Sequence, residues 1–346
     1  MQDIKEILWE ICKAPGSPGQ EGAARQAVKA VLEKVCPQAV LNDDPMGNLT
    51  AFLGDKHSQN QLLFDAHLDQ IGMVVTGITE EGFLHLAPCG GVDRRVLPGS
   101  PVDVYGKERL TGIVCCQPPH LSDGKAEKVE PVEEMYVDLG LSRAQAEEMV
   151  RPGDAVLLHV EPRQMLGTRV TAAGLDNRAG VAVLLRCAQL LGGKPLSCGV
   201  TFLFSSREEI GCEGARVAAY QVQPSQAVVV DVSFARQPGV PPQKSGSMGA
   251  GMMIGTAPSL DACVTSRLIA LCKEHGWDYQ MEVMGGRTGT NADVIGITRA
   301  GVPTGLISVP LRYMHTTAET IDCKDAEYTA QLLAAYVQEK GGALDG

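Results

Sequence analysis

At five places along this chain a short apolar run, suited to a buried strand, ends abruptly in histidine or carboxylate. The stations are His67 with Asp69, Asp176-Asn177-Arg178, Glu208-Glu209, Asp231 and His315. A lone Asp at a strand end is commonly a turn or helix cap. Five acidic or histidine stations in order, each at such an end, call for a shared cause. In open α/β sheets ligands bind outside the carboxyl ends of the strands, where residues distant in sequence converge.

The surrounding pattern supplies such a sheet. From Gly174 onward apolar runs (199–204, 227–230 and 304–309) alternate with amphipathic stretches over 178–191, 213–220, 261–275 and 324–339. Ser259 or Asp261 is the expected cap of the 261–275 helix. This alternation predicts an α/β fold with a mixed, largely parallel sheet flanked by helices. The first 36 residues read as two further helices, with Ile4, Ile7, Leu8 and Ile11, then Ala24, Val28, Val31, Leu32 and Val35, at helical spacing. Leu62-Leu63-Phe64 reads as a strand running into His67.

Between about 73 and 166 the texture changes. Short β-like runs (73–76, 101–105, 111–114 and 155–158) are separated by Gly/Pro turns, and only 142–150 has a helical period, with Ser142 as its cap. The expectation is a small β-barrel-like insert over 73–166 that splits an α/β domain formed by 1–72 and 167–346.

Composition narrows the function classes. With 30 Lys+Arg against 41 Asp+Glu among 346 residues, the formal charge is −11. That argues against nucleic acid or an anionic membrane as partner, because both require clustered cations. No run of about 18 apolar residues offers a membrane span, and the N-terminus lacks signal-peptide character. The eleven cysteines contain no C-x-x-C pair. They read as small buried hydrophobes of a reducing cytoplasm.

Two metals about 3.5–4 Å apart can clamp a carbonyl and a hydroxide together. His67, His315, Asp176, Glu209 and Asp231 supply two imidazoles and three carboxylates. Such a mixed N/O set suits zinc, cobalt or manganese. Glu208 and Glu209 are adjacent, and successive side chains at a strand end diverge. One can therefore bind metal while the other acts as general base. Asp69, two residues beyond His67, can orient that imidazole.

In these stretches the chain resembles the cocatalytic metallo-aminopeptidases, the family of tetrahedral, glutamyl and deblocking aminopeptidases, some once labelled endoglucanase. The matching segments are 65–72 (Asp-Ala-His-Leu-Asp-Gln-Ile-Gly), 174–180 (Gly-Leu-Asp-Asn-Arg-Ala-Gly), 206–215 (Ser-Arg-Glu-Glu-Ile-Gly-Cys-Glu-Gly-Ala), 230–232 and 310–315. The resemblance implies a phosphorylase/hydrolase-like peptidase domain. It assigns His67, Asp176 and Asp231 to one divalent metal and Asp176, Glu209 and His315 to another. Asp176 bridges, Glu208 is the general acid/base, and Asp69 orients His67. It further implies removal of N-terminal residues from small peptides, and homo-oligomers from dimers to dodecamers with the insert contributing contacts.

Two positions depart from the family pattern. Asn291 stands where Asp is common, in 289–292, and puts substrate contacts or the loop's charge in question; Gln70 stands where Glu is common and shifts the local charge without removing a ligand. Histidines 57, 85, 120, 159 and 275 read as surface or core residues. The Ser/Gly-rich stretch 245–251 lacks the spacing of a phosphate loop and reads as a turn or substrate-side loop. The pairs Glu133-Glu134 and Glu147-Glu148 read as solvated faces. Two rival readings remain. A glycoside hydrolase needs two carboxyls facing each other across a sugar, and a catalytically inactive peptide-binding homologue would keep the ligands without turnover.

Overall fold

The computed structural model describes residues 2–118, 120, 129–158 and 160–339. Helix α1 (Ile4–Ile11) starts at a capping box in which Asp3 accepts the N–H of Glu6 at 2.8 Å and Glu6 accepts that of Asp3 at 3.1 Å. It buries the stripe Ile4, Ile7, Leu8 and Ile11 that its 3.6-residue period lines up. Helix α2 (Gly22–Val35) and strands β1 (Val40–Asp43), β2 (Leu49–Gly54) and β3 (Gln61–His67) follow.

Six strands come next: β4 (Gly72–Ile78), β5 (Leu84–Cys89), β6 (Pro101–Tyr105), β7 (Arg109–Val114), β8 (Tyr136–Asp138) and β9 (Ala155–Leu158). They close in the order β4-β5-β8-β7-β6-β9, every pairing antiparallel. Closure leaves no sheet edge, and Met73, Val75, Leu86, Val104 and Val156 fill a core separate from the rest of the molecule. Helix α3 (Arg143–Met149) lies between β8 and β9, and the side chain of Gln145 accepts the N–H of its cap, Ser142, at 3.0 Å.

The remaining elements are β10 (Arg163–Gln164), β11 (Arg169–Ala172), α4 (Leu175–Leu191), β12 (Gly199–Ser205), α5 (Glu213–Val222), β13 (Gln226–Phe234), β14 (Met252–Thr256), α6 (Ala262–His275), β15 (Tyr279–Val283), α7 (Ala292–Ile295), β16 (Thr304–Arg312), β17 (Glu319–Asp322) and α8 (Cys323–Gln338). The cap of α6 is Asp261, which accepts the N–H of Val264 at 2.9 Å. The large sheet runs β1-β2-β12-β3-β13-β16-β17-β11-β10, with β14 and β15 attached beside β16. Its centre, β12-β3-β13-β16, is parallel and its flanks are mainly antiparallel. This is a mixed α/β sheet with a parallel core flanked by helices, as the alternation of elements predicts. The short β10, within the stretch read as insert, already belongs to this sheet.

Helices cover both faces, so the central strands are buried on each side and apolar throughout. Phe64 and Leu62 point to the face packed by α1, α2, α4 and α8; Leu63 points to the face packed by α5 and α7. The flanking strands β14, β15 and β17 lack a sequence signal of comparable strength. In β15, for example, Met281 and Val283 are exposed.

Candidate active site

Four parallel strands place their carboxyl ends side by side. His67 ends β3, and its register partner on β12 is Ser205, so the turn carrying Glu208 and Glu209 leaves the sheet next to it. Asp231 lies on β13, and His315 follows β16 by three residues. Asp176 arrives differently from the expected strand end. It sits in the first turn of α4, four residues past the antiparallel strand β11, where Asp176 and Asn177 leave helical φ/ψ.

These groups meet. The Nε2 of His67 lies 3.2 Å from Oδ1 of Asp176 and 3.8 Å from Oδ1 of Asp231. The Nε2 of His315 lies 3.3 Å from the other oxygen of Asp176 and 3.6 Å from Oε1 of Glu209. Asp176 thus faces one imidazole with each oxygen. Glu208 stands beside them, its Oε2 4.0 Å from His67 Nε2.

The arrangement fits divalent metal. Ligand bonds of ~2.0–2.2 Å in tetrahedral geometry put neighbouring ligand atoms roughly 3.3–3.6 Å apart. The observed spacings bracket that range. Three trios, His67 with Asp176 and Asp231, Asp176 with Glu209 and His315, and His67 with Glu208 and Glu209, each offer ligand atoms within 4.8 Å of one another. Moreover, Oε1 of Glu209 is buried without a hydrogen-bond partner, which is costly unless something is bound there.

The electrostatics carry the same signature. Burial pushes the carboxyls of Glu208 and Asp231 above the ordinary range and that of Glu209 up to about 8. For His315 burial works against the charged form, but the carboxylates of Asp176 and Glu209 outweigh it and push the imidazole up to about 9. So many ionisable groups in one place repel or trap protons, and a cation relieves both.

Supporting contacts set the orientations of these candidate ligands. The Nδ1 of His67 is 2.9 Å from the backbone carbonyl of Asp69 and 3.4 Å from its Oδ1. The Asp69 carboxylate chiefly serves the backbone, accepting the N–H groups of Glu208 and Glu209 at 3.0 Å each. The Nδ1 of His315 is 2.8 Å from the carbonyl of Gly91.

Glu319 escaped the sequence reading. Fully buried on β17, it accepts the N–H of Asp176 at 3.0 Å and that of His315 at 2.7 Å, linking two candidate ligands. The only signal was its position four residues after His315. Asn291 is buried and donates to Asp65 at 2.8 Å and to Ser205 at 2.9 Å. Asp65, two residues before His67 on β3, is pushed up to about 7 by burial, and the amide of Asn291 works against that rise. Gln70 is also buried, its N–H donating to Gly16 at 2.9 Å.

The 245–251 stretch is tied down by Asp325, which accepts the N–H groups of Gly249 and Gly251 at 2.7 and 2.8 Å, while Ser245 lines the cavity above the site. His57, His120 and His275 are exposed, His85 is half-buried, and His159 lies outside the described residues. Both glutamate pairs are exposed, and all eleven cysteines are free thiols. Among the described residues no helix is long and apolar enough to cross a membrane. The site floors a cavity of about 540 Å³.

Fold and site together define a hydrolase-type α/β domain with a carboxylate–imidazole centre at its strand ends. Residues 47–332 match the family described as M42 glutamyl aminopeptidase, and the chain belongs to that family. It is 30% identical over 340 residues to a lysyl aminopeptidase of Pyrococcus furiosus, covering 96% of each chain. It is similar in structure to a TET aminopeptidase from the marine sediment archaeon Thaumarchaeota archaeon SCGC AB-539-E09. There the TM-score is 0.91, the identity 27%, and the coverage 97% of this chain and 96% of that one. It also resembles the Pyrococcus horikoshii TET1 peptidase, described as assembling into a tetrahedron or a large octahedral shell. That comparison gives TM-score 0.85 and 29% identity, over 96% of this chain and 98% of that one.

Proposed function

We propose that this protein is a metal-dependent aminopeptidase that removes residues one at a time from the N-termini of small peptides. The observation that carries the reading is Asp176, whose two oxygens each face an imidazole while Glu208 stands alongside. His67, Asp176 and Asp231 would hold one divalent ion, and Asp176, Glu209 and His315 a second, with Asp176 shared. The donor set suits zinc, cobalt or manganese. When bound, such a pair supplies polarisation of the scissile carbonyl and lowers the pKa of water toward neutrality.

Glu208 takes a proton from the attacking water and returns it to the leaving amine. Burial raises its carboxyl above the ordinary range, toward the pH at which an acid/base group works in both directions. Asp69 fixes the backbone from which Glu208 projects, and its carbonyl holds His67 with Nε2 toward the centre. A glycosidase is disfavoured, because these carboxylates converge on two imidazoles instead of facing each other across the ~5–9.5 Å that a sugar requires.

The closed barrel, 72–158, is proposed as the separate unit that carries contacts between copies in a homo-oligomer. The free thiols accord with a reducing, cytoplasmic setting. The test is hydrolysis of aminoacyl-p-nitroanilides. Activity should vanish after dialysis against EDTA and return with Zn²⁺, Co²⁺ or Mn²⁺. Full activity in chelated, metal-free protein would sink the reading, and metal binding without turnover would favour the inactive homologue.

A further inference from the structure

The cavity contains one more acidic side chain, outside the carboxylate–imidazole centre. Glu282 belongs to β15, at the margin of the sheet, where its neighbours Met281 and Val283 are exposed. Its own carboxylate turns inward and lines the cavity, accepting hydrogen bonds from the hydroxyls of Ser233 and of Ser308, the latter at 2.7 Å. Ser233 lies two residues past Asp231 on β13, and Ser308 is the register partner of Asp231 on β16. Both hydroxyls therefore share the face of the sheet that carries Asp231. Glu282 stands over that face beside the centre, yet among the described residues it is in none of the three trios whose ligand atoms lie within 4.8 Å.

Its surroundings ask for a cation. Among the described residues no Lys, Arg or His makes an ion pair with Glu282, and its only side-chain partners are two neutral hydroxyls. Burial raises its carboxyl above the ordinary range, against the pull of both serines. A desolvated carboxylate without a counter-charge is costly until an opposite charge reaches it. Lys244 and Arg287 also line the cavity, but both are exposed, so their charges are already satisfied by water. The remaining lining includes Met253, Met281, Met284 and Leu306, apolar surface suited to a methylene stem.

The geometry points to Glu282 as the residue that selects the first amino acid of the substrate, and to lysine or arginine as that amino acid. This rests on the aminopeptidase reading of the same cavity. The stem of the side chain lies on the methionines and Leu306, and its charge meets Glu282. An acidic side chain meets like charge there, and an apolar one leaves the carboxylate unpaired.

The experiment compares kcat/KM of zinc- or cobalt-loaded protein on the Lys-, Arg-, Leu- and Glu-p-nitroanilides, for wild type and Glu282→Gln. Lys and Arg should exceed Leu by at least about tenfold, and Glu should be poorest. Glu282→Gln should cut the Lys/Leu ratio by at least about tenfold. A wild-type preference for Glu or Leu overturns the assignment, whether or not the variant folds. So does an equal loss on all four substrates, which would make Glu282 a ligand of the common α-amine. Cleavage of none of the four would instead remove the aminopeptidase reading, and this assignment with it.

Discussion

Asp69 accepts the backbone N–H of Glu208 at 3.0 Å, so the residue beside one imidazole also anchors the turn that carries the proposed acid/base. Its other oxygen does the same for Glu209. Asparagine would present an amide N–H₂ to one of these donors. Asp69→Asn should lower kcat roughly 10–100-fold, as changes behind a metal ligand do. Steady-state kinetics on metal-loaded protein checks this, and unchanged kcat would show that the turn holds without the carboxylate.

Glu208→Gln removes the proton carrier and keeps the shape. A positioned acid/base contributes about 10²–10⁴-fold, so kcat should fall by that much while the bound metal, counted by mass spectrometry, stays the same. Loss of metal together with activity would make Glu208 a ligand.

Glu319→Gln should act through position alone. The buried carboxylate accepts two backbone N–H groups, those of Asp176 and His315, and an amide can accept with only one atom. The cost should be about 1–3 kcal/mol of stability and weaker metal binding, read by denaturant melts and competition with a chelator. Wild-type values in both assays would remove Glu319 from the site.

Gly180 sits where α4 touches the sheet. A Cβ there would lie 2.3 Å from Oδ1 of Asn177 and 2.8 Å from the carbonyl of Val230. Gly180→Ala must push the start of α4, and Asp176 with it, off the sheet. We expect a loss of about 1–3 kcal/mol, measured by thermal or urea unfolding. A neutral result would mean that the helix shifts freely.

Chelator-treated protein should lose stability as pH rises from about 6 to 9. His315, raised to about 9, stabilises the fold fully below its unfolded value near 6.5 and loses that contribution as pH climbs through 9. Glu209, raised to about 8 chiefly by burial, costs the fold progressively more as pH rises from its unfolded value near 4.5 to about 8. Asp176, held below the ordinary carboxylate range despite its burial by His315 and His67, is lost only in acid. Metal loading should flatten the trend and release protons near neutral pH. Tm against pH, and titration in weak buffer, check both; a Tm that rises with pH in the chelated protein would contradict the signs.

Much of this protein was legible in order and spacing. Continuous apolar runs such as 199–204 announce strands buried on both faces, because a parallel strand between helices has no polar side. Abrupt polarity after them, at His67 and Glu208-Glu209, marks where ligands collect, because side chains there leave the packed sheet.

Other features depended on distance in three dimensions. Glu282 lies on a marginal strand with no periodic signal, and only the register of β13 and β16 brings Ser233 and Ser308 to its carboxylate. Glu319 is one acid among many until β17 folds back against β16 and its oxygens meet two amides. Asn291 joins Asp65 from 226 residues away. The chain's chemistry was thus set by which residues stand at strand ends and, for Asp176, at the start of α4. Their partners were decided by packing, since burial turns a contact between distant residues into a constraint that local pattern does not carry.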